Sequence, residues 1–436
     1  MRRRNLIKGA LAGLGGASLG FRLPLANAAD YRGRLFVFVQ ADGGWDPTSF
    51  CDPKANTPGE PVINHWAERD EIRTAGRIAY APFANNARFF TKYHRRMLVI
   101  NGVDAQTNSH TVGIVHNWSG RNSEGYPSMG ALLSAHYGPE LPVTYLNFGG
   151  YAETGGVARY TRINNADRLR NIAAPELVPR EPWHNSQRRY ISDADWSALR
   201  SRQTSETARL VAARNVLPGD LWNRRLYQSS FLSAEGLKAY ADAIPPEDEL
   251  ERTVQYETPA GNRYWSELRR QAQLAVLAFK TGVSVSADLW LGGFDTHSTH
   301  DPDHEWLLGN LADGVDFLWD YAEEHGVADR MLVVIGSDFA RTNFYNSQDG
   351  KDHWPIGSYV VMEKNQPWTS RAVGETDGLH FAQKINPRTL ERDDANGTII
   401  YPKHVHKALR RYLGIENSPG ARRFPFSNTE DFAFFG

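Results

Sequence analysis

The chain has 436 residues and a formal net charge of −1, so it lacks the basic footprint expected of a nucleic-acid-binding protein. An apolar content of 41% and 12 tryptophans exclude a disordered chain. The single cysteine, Cys51, excludes an intramolecular disulfide and a four-cysteine cluster, which leaves packing, with or without a metal, to supply stability.

The first element is a three-part leader. Arg2, Arg3 and Arg4 form a positive start, residues 6–19 are weakly apolar and rich in Gly and Ala, and Ala26-Asn27-Ala28 is a small-residue cleavage pattern. The order Arg3-Arg4-Asn5-Leu6-Ile7-Lys8 fits the twin-arginine subtype. Residues 1–28 are therefore expected to be a removed signal peptide. The twin-arginine translocase is then a partner during export, and the destination is the periplasm or the exterior. The apolar run falls short of the ~20 residues that span a bilayer. No later segment is long or apolar enough either, so stable membrane insertion is not expected.

Beyond the leader, apolar runs at 34–40, 97–103, 141–148, 283–291, 331–337 and 358–363 read as strands. Most are continuous rather than alternating, as in strands covered on both faces. Helical patterns occupy 110–119, 196–217, 262–282, 305–326 and 404–413. This alternation predicts a three-layer α/β/α sandwich with a mostly parallel, doubly wound sheet over residues 29–436. Residues 149–260 are polar, rich in Arg and Asn, and poor in strand signals. They read as a mainly helical insertion or cap that shapes the substrate pocket.

Ligands of open parallel sheets bind beyond the carboxyl ends of the strands. Four strands run into metal-capable groups there: Asp42-Gly43-Gly44; Asp104 and then Ser109-His110; Asp295-Thr296-His297; and Asp338, followed by Asp352-His353. An isolated Asp at a strand end is usually a cap or turn residue. Several converging carboxylates would raise one another's pKa unless a cation sat among them. Asp and His together suit zinc, manganese or iron better than calcium. His300 and His304 are ligands or supporting groups on this reading, and His110 and His116 are supporting or structural. Arg341 either binds an anionic substrate or bonds structurally to carbonyls.

Several of these segments resemble a known family. Phe294-Asp295-Thr296-His297, the strand ending Ser337-Asp338-Phe339-Ala340-Arg341, and Gly350-Lys351-Asp352-His353 are similar to the bacterial family called domain of unknown function 1501, in the alkaline phosphatase–sulfatase superfamily. Gln40–Asp46 and Asn108–Arg121 resemble its earlier motifs. The resemblance implies a doubly wound sheet and hydrolysis of phosphate or sulfate esters at one or two divalent metals. It matches Asp42, Asp295, His297, Asp338 and His353 to metal-site positions and Ser109 to the nucleophile. Phe339 stands where the superfamily's late Ser-Asp-His motif has its histidine.

The expected function is thus an exported, metal-dependent hydrolase acting on an anionic ester. Ser109 is the first choice of nucleophile, with Thr111 and Thr48 as alternatives. The competing expectation is a non-catalytic binding or structural protein on the same fold. An oxidoreductase is disfavoured, because no Gly-rich dinucleotide motif follows the first strand.

Overall fold

Strand β1 (Leu35–Asp42) explains why the centre of the sheet reads as uninterrupted apolar sequence. Leu35, Val37 and Val39 enter one buried cluster, whereas Phe36 and Phe38 enter another on the opposite face. Both faces of the pleat are covered, so neither set can be polar. The computed structural model describes residues 31–162, 188–213, 234–258 and 261–436, plus isolated positions within 173–178 and 217–227. The leader at 1–28 and residues 214–216, near the end of the helix expected at 196–217, lie outside the described residues.

The remaining sheet strands are β2 (Met97–Asp104), β3 (Tyr145–Asn147), β4 (Thr161–Arg162), β5 (Ser286–Gly292), β6 (Met331–Ser337), β7 (Ile356–Glu363) and β8 (Arg371–Val373). They form an eight-stranded sheet in the order β8-β2-β7-β6-β1-β5-β3-β4. Only β7 runs against the others, antiparallel to both β6 and β2. The register pairs Ala41 with Ser337 and Asp42 with Gly292. The carboxyl ends of β1, β5 and β6 therefore open on one edge.

Eight helices matter for the layers: α1 (Asn86–Tyr93), α2 (His110–Ser119), α3 (Met129–Tyr137), α4 (Asp193–Ala212), α5 (Ala234–Ala243), α6 (Leu268–Lys280), α7 (His300–Glu324) and α8 (Pro402–Tyr412). Phe89 and Phe90 of α1, Leu274 and Leu277 of α6, and Leu311, Val315 and Trp319 of α7 pack on one face. Trp118 of α2, Met129 and Leu132 of α3, and Val405 and Leu409 of α8 pack on the other. The result is the expected three-layer α/β/α sandwich with a mostly parallel sheet.

One expectation is corrected. The helix read at 262–282 begins only at Leu268, because Arg263–Ser266 pairs with Val254–Glu257 as a hairpin; Tyr264 and Trp265 suit a pleated surface. Within 149–260, Thr161–Arg162 adds the sheet's edge strand. Among the described residues, no helix is long and apolar enough to cross a membrane.

The α2–α8 contact carries two buried histidines. His116 Nδ1 meets the Ala105 carbonyl at 2.9 Å, and His406 Nε2 meets the Asn117 carbonyl at 2.8 Å. Burial lowers His116 to about 4 and His406 to about 3. Both are neutral when folded and gain a proton only on unfolding below about 6.5, the ordinary histidine value. Stability should therefore fall as pH drops from 6.5 toward 4, by at most about 1.4 kcal/mol per pH unit for each histidine. Urea midpoints from pH 7 to 4.5 measure this slope, and His406→Gln should flatten it; equal slopes in variant and wild type would contradict the assignment.

Candidate metal centre

The site begins with a glycine turn. After β1 the chain reverses through Gly43 (φ 112°) and Gly44 (φ 85°), both in the region that disfavours other residues. A Cβ on Gly43 would lie 2.6 Å from the Asp295 backbone nitrogen. This close approach aims the N–H groups of Gly43 and Gly44 at Asp338 Oδ1, to which they donate at 3.0 and 2.8 Å. Ser337 Oγ, which donates to the Ala41 carbonyl at 2.5 Å, lies 3.0 Å from the same oxygen. The other oxygen, Oδ2, meets His110 Nδ1 at 2.5 Å. Asp338 is buried and holds the first residue of α2 against the end of β6.

With Nδ1 held there, His110 turns Nε2 toward the mouth, where two further donors meet it and a third adjoins them. His353 Nε2 lies 3.1 Å from His110 Nε2 and 3.0 Å from His297 Nε2. Asp295 Oδ1 lies 3.3 Å from His110 Nε2, 2.9 Å from His297 Nε2 and 3.1 Å from His353 Nε2. His110, Asp295 and His353 form the tightest set, and among the described residues theirs is the one group of three or more metal-capable side chains found together. His297 joins through Asp295 and His353. The Asp295 side chain is 45% exposed, so the cluster opens to solvent.

These donors fit a divalent ion. Tetrahedral zinc with bonds of about 2.0–2.1 Å places its ligand atoms roughly 3.3 Å apart, close to the separations within the His110, Asp295 and His353 set. Each imidazole also has its other nitrogen held from behind. His110 Nδ1 is on Asp338, His297 Nδ1 is 2.7 Å from Asp352 Oδ1, and His353 Nδ1 is 2.7 Å from the Asn108 carbonyl. Such partners fix the tautomer that turns an Nε2 lone pair toward a metal. The electrostatics agree. Hydrogen bonds to Asp295 and Asp338 push His110 up to about 9. Burial alone would raise Asp295, but His110, Arg341 and His297 outweigh it and hold the carboxyl well below the usual range.

The expected residues separate into groups. Asp295, His297 and His353 come together. Asp338 does not join them as a ligand; it stands behind His110, and its oxygens are committed to backbone N–H groups and that ring. Asp42 stands outside the grouped donors. Its Oδ1 accepts from Gln40 Nε2 at 3.3 Å, and burial followed by repulsion from Asp338 raises it to about 6. Arg341 has the structural role of the two weighed. Its guanidinium is fully buried, donates to the carbonyls of Gly43, Gly44 and Lys351, and lies 2.9 Å from Asp295 Oδ1. It is not free to seize a substrate anion. His116, His300 and His304 also lie outside the cluster. His110 takes the inner place that sequence reasoning gave to Asp338. Phe339, replacing the late-motif histidine, packs under His110 and His353 with ring centroids 4.6 and 4.7 Å away.

Ser109 is exposed at the N-cap of α2, and its side chain caps no backbone N–H of that helix. It lies between Asn108, which holds His353, and His110. Thr111 is exposed one turn position further on, whereas Thr48 is buried on Asp46 and Asn64.

Fold and site together define an α/β protein with a His/Asp centre at the carboxyl edge of its sheet. The family described as "Protein of unknown function (DUF1501)" matches residues 187–407, and the chain belongs to it. Among curated proteins none matches the sequence. Three solved structures are similar in fold. One is a protein from a glycosaminoglycan-metabolising locus of Bacteroides thetaiotaomicron, with 8% identity over 93% of this chain and 77% of that one and a TM-score of 0.40. Another is a sulfatase from Pseudoalteromonas sp., with 12% identity over 96% and 74% and a TM-score of 0.36. The third is the phosphonate monoester hydrolase of Agrobacterium radiobacter, with 13% identity over 87% and 74% and a TM-score of 0.33.

Asp338→Asn keeps the shape of the side chain and an acceptor for the glycine N–H groups but weakens the bond to His110. Zinc affinity, read by chelator competition, should fall by roughly 10–100-fold. Complete loss of binding in a folded variant would return Asp338 to the ligand set.

Proposed function

We propose that the protein is an exported, metal-dependent hydrolase of phosphate or sulfate esters. The observation that carries this reading is the meeting of His110 Nε2, His353 Nε2 and Asp295 Oδ1 at 3.1–3.3 Å, with His297 Nε2 within 3.0 Å of the last two, beside an exposed serine at a helix start. A zinc, manganese or iron ion bound by His110, His297, His353 and Asp295 would supply Lewis-acid stabilisation of charge on the transferred group. Ser109 contributes the hydroxyl whose Oγ bonds to phosphorus or sulfur as the ester oxygen leaves; water then releases the group. The free N–H groups at the start of α2 and the positive end of its dipole favour an anion at this hydroxyl. Asn108 and His110 hold the serine's backbone on both sides, which limits the reorientation needed for attack.

One observation favours a second reading, a binding protein that holds metal without turning over ester. The buried cations beside the cluster are committed internally, Arg341 to carbonyls and Asp295, and Lys351 to Asp46. An anionic substrate would then depend on the metal and the helix start for its charge partners. Wild type reconstituted with zinc or manganese should hydrolyse an aryl phosphate or sulfate, and Ser109→Ala should lose on the order of 10³-fold or more in kcat. Undiminished turnover in Ser109→Ala would move the nucleophile to Thr111. Metal binding without turnover across the panel would favour the binding protein.

Export through the twin-arginine pathway is part of the same reading and is supported by the arginine pair and the Ala26-Asn27-Ala28 pattern. N-terminal sequencing of the protein from a bacterial periplasm should begin at Ala29. Changing Arg3 and Arg4 together to Lys should leave the unprocessed chain in the cytoplasm, and normal processing of that double variant would exclude the pathway.

A further inference from the structure

A second polar cluster lies directly behind the metal centre and none of its members faces the mouth. Asp46, Thr48, Asn64, Thr296, His300, His304 and Lys351 are all buried. The hydrogen-bond directions within it can be followed one by one. The Asp46 backbone N–H can only donate, and it does so to His304 Nε2 at 2.9 Å. A neutral His304 therefore carries its proton on Nδ1, which faces Thr296 Oγ1 at 3.1 Å. The threonine hydroxyl, having accepted there, gives its own proton to His300 Nδ1 at 2.7 Å. His300 Nε2–H then donates to Asp46 Oδ2 at 3.1 Å, and the ring closes on the residue where it began. Lys351 Nζ donates to the same oxygen at 2.6 Å and balances its charge.

From this ring we infer that Thr296, His300, His304, Asp46 and Lys351 are the positioning frame of the metal centre. The inference rests on the metal reading above. Thr296 sits between two donors, Asp295 and His297, and its carbonyl accepts from the Lys351 N–H at 3.1 Å. Lys351 in turn precedes Asp352 and His353. Thr296 thus ties the two loops that carry three of the four donors to each other through its carbonyl, and its hydroxyl fastens them to the first turns of α7, whose two imidazoles reach the loop leaving β1 at Asp46. The packing between the loops is close: a Cβ on Gly350 would collide with the His297 carbonyl. The hydroxyl proton lies nearer His300 Nδ1 than the Phe294 carbonyl, which is 3.5 Å away, so loss of the hydroxyl leaves two imidazole nitrogens unpaired and frees the Asp295–His297 loop from α7 while its backbone bond to Lys351 remains. The frame acts by setting where Asp295, His297 and His353 stand.

The test compares the full mature protein with Thr296→Val, which keeps the shape and removes the hydroxyl, and Thr296→Ser, which restores it. Cobalt(II) is the probe, read by its visible absorption spectrum and by chelator competition, with Tm measured on each metal-free variant. We expect Thr296→Val to lose about 10-fold or more in cobalt affinity with an altered spectrum, and Thr296→Ser to recover both. Thr296→Ala, which has room for a bridging water, serves if Thr296→Val does not fold, and the same direction of change is expected. A lowered Tm with wild-type cobalt affinity and spectrum would overturn the inference and leave the ring as core packing alone. Wild type that takes up no cobalt would instead overturn the metal reading beneath it.

Discussion

The bond between Asp338 and His110 is the interaction on which the site depends. One carboxylate oxygen gathers the N–H groups of the Gly43-Gly44 turn, and the other holds the first residue of α2. The loop after β1, the end of β6 and the start of α2 are thereby joined at one buried anion. An imidazole fixed at Nδ1 presents Nε2 in one direction. Without this anchor, His110 would be an ordinary residue at a helix start. With it, the α2 side of the mouth meets the β5 and β6 sides at hydrogen-bond separations.

The buried core of the fold was legible in sequence because its strands are covered on both faces. Runs such as Met331–Ser337 are apolar throughout and coincide with the observed strand. The edges were not. Thr161–Arg162 and Arg371–Val373 are short and partly exposed, so they carry no apolar run to recognise. Within the segment 141–148 regular strand covers only Tyr145–Asn147, and Pro142 is unable to donate to a ladder. The hairpin at Arg263–Ser266 was absorbed into the following helix because both are rich in aromatic and charged residues.

The site was legible where chemistry is local and obscure where it depends on orientation. Asp295, His297 and His353 follow strands and do converge. Asp338 follows a strand too, but only the structure reveals that its oxygens are already occupied. In sequence alone His110 is a supporting or structural group, because a lone histidine is more often a satisfied structural residue than a ligand. A signal was available in Phe339: with no histidine at that position of the late motif, the ligand had to come from another element. Arg341 illustrates the opposite case, since a buried guanidinium and a substrate clamp look identical in sequence and differ only in what surrounds them.

The central claim is that His110, His297, His353 and Asp295 hold a metal. The most direct measurement is the metal content of the folded protein after reconstitution with zinc, manganese or iron and removal of excess, with wild type beside His110→Ala. The account predicts about one ion per chain in wild type and its loss in the folded variant. Wild type that retains no ion, or a variant that retains a full complement, would contradict it.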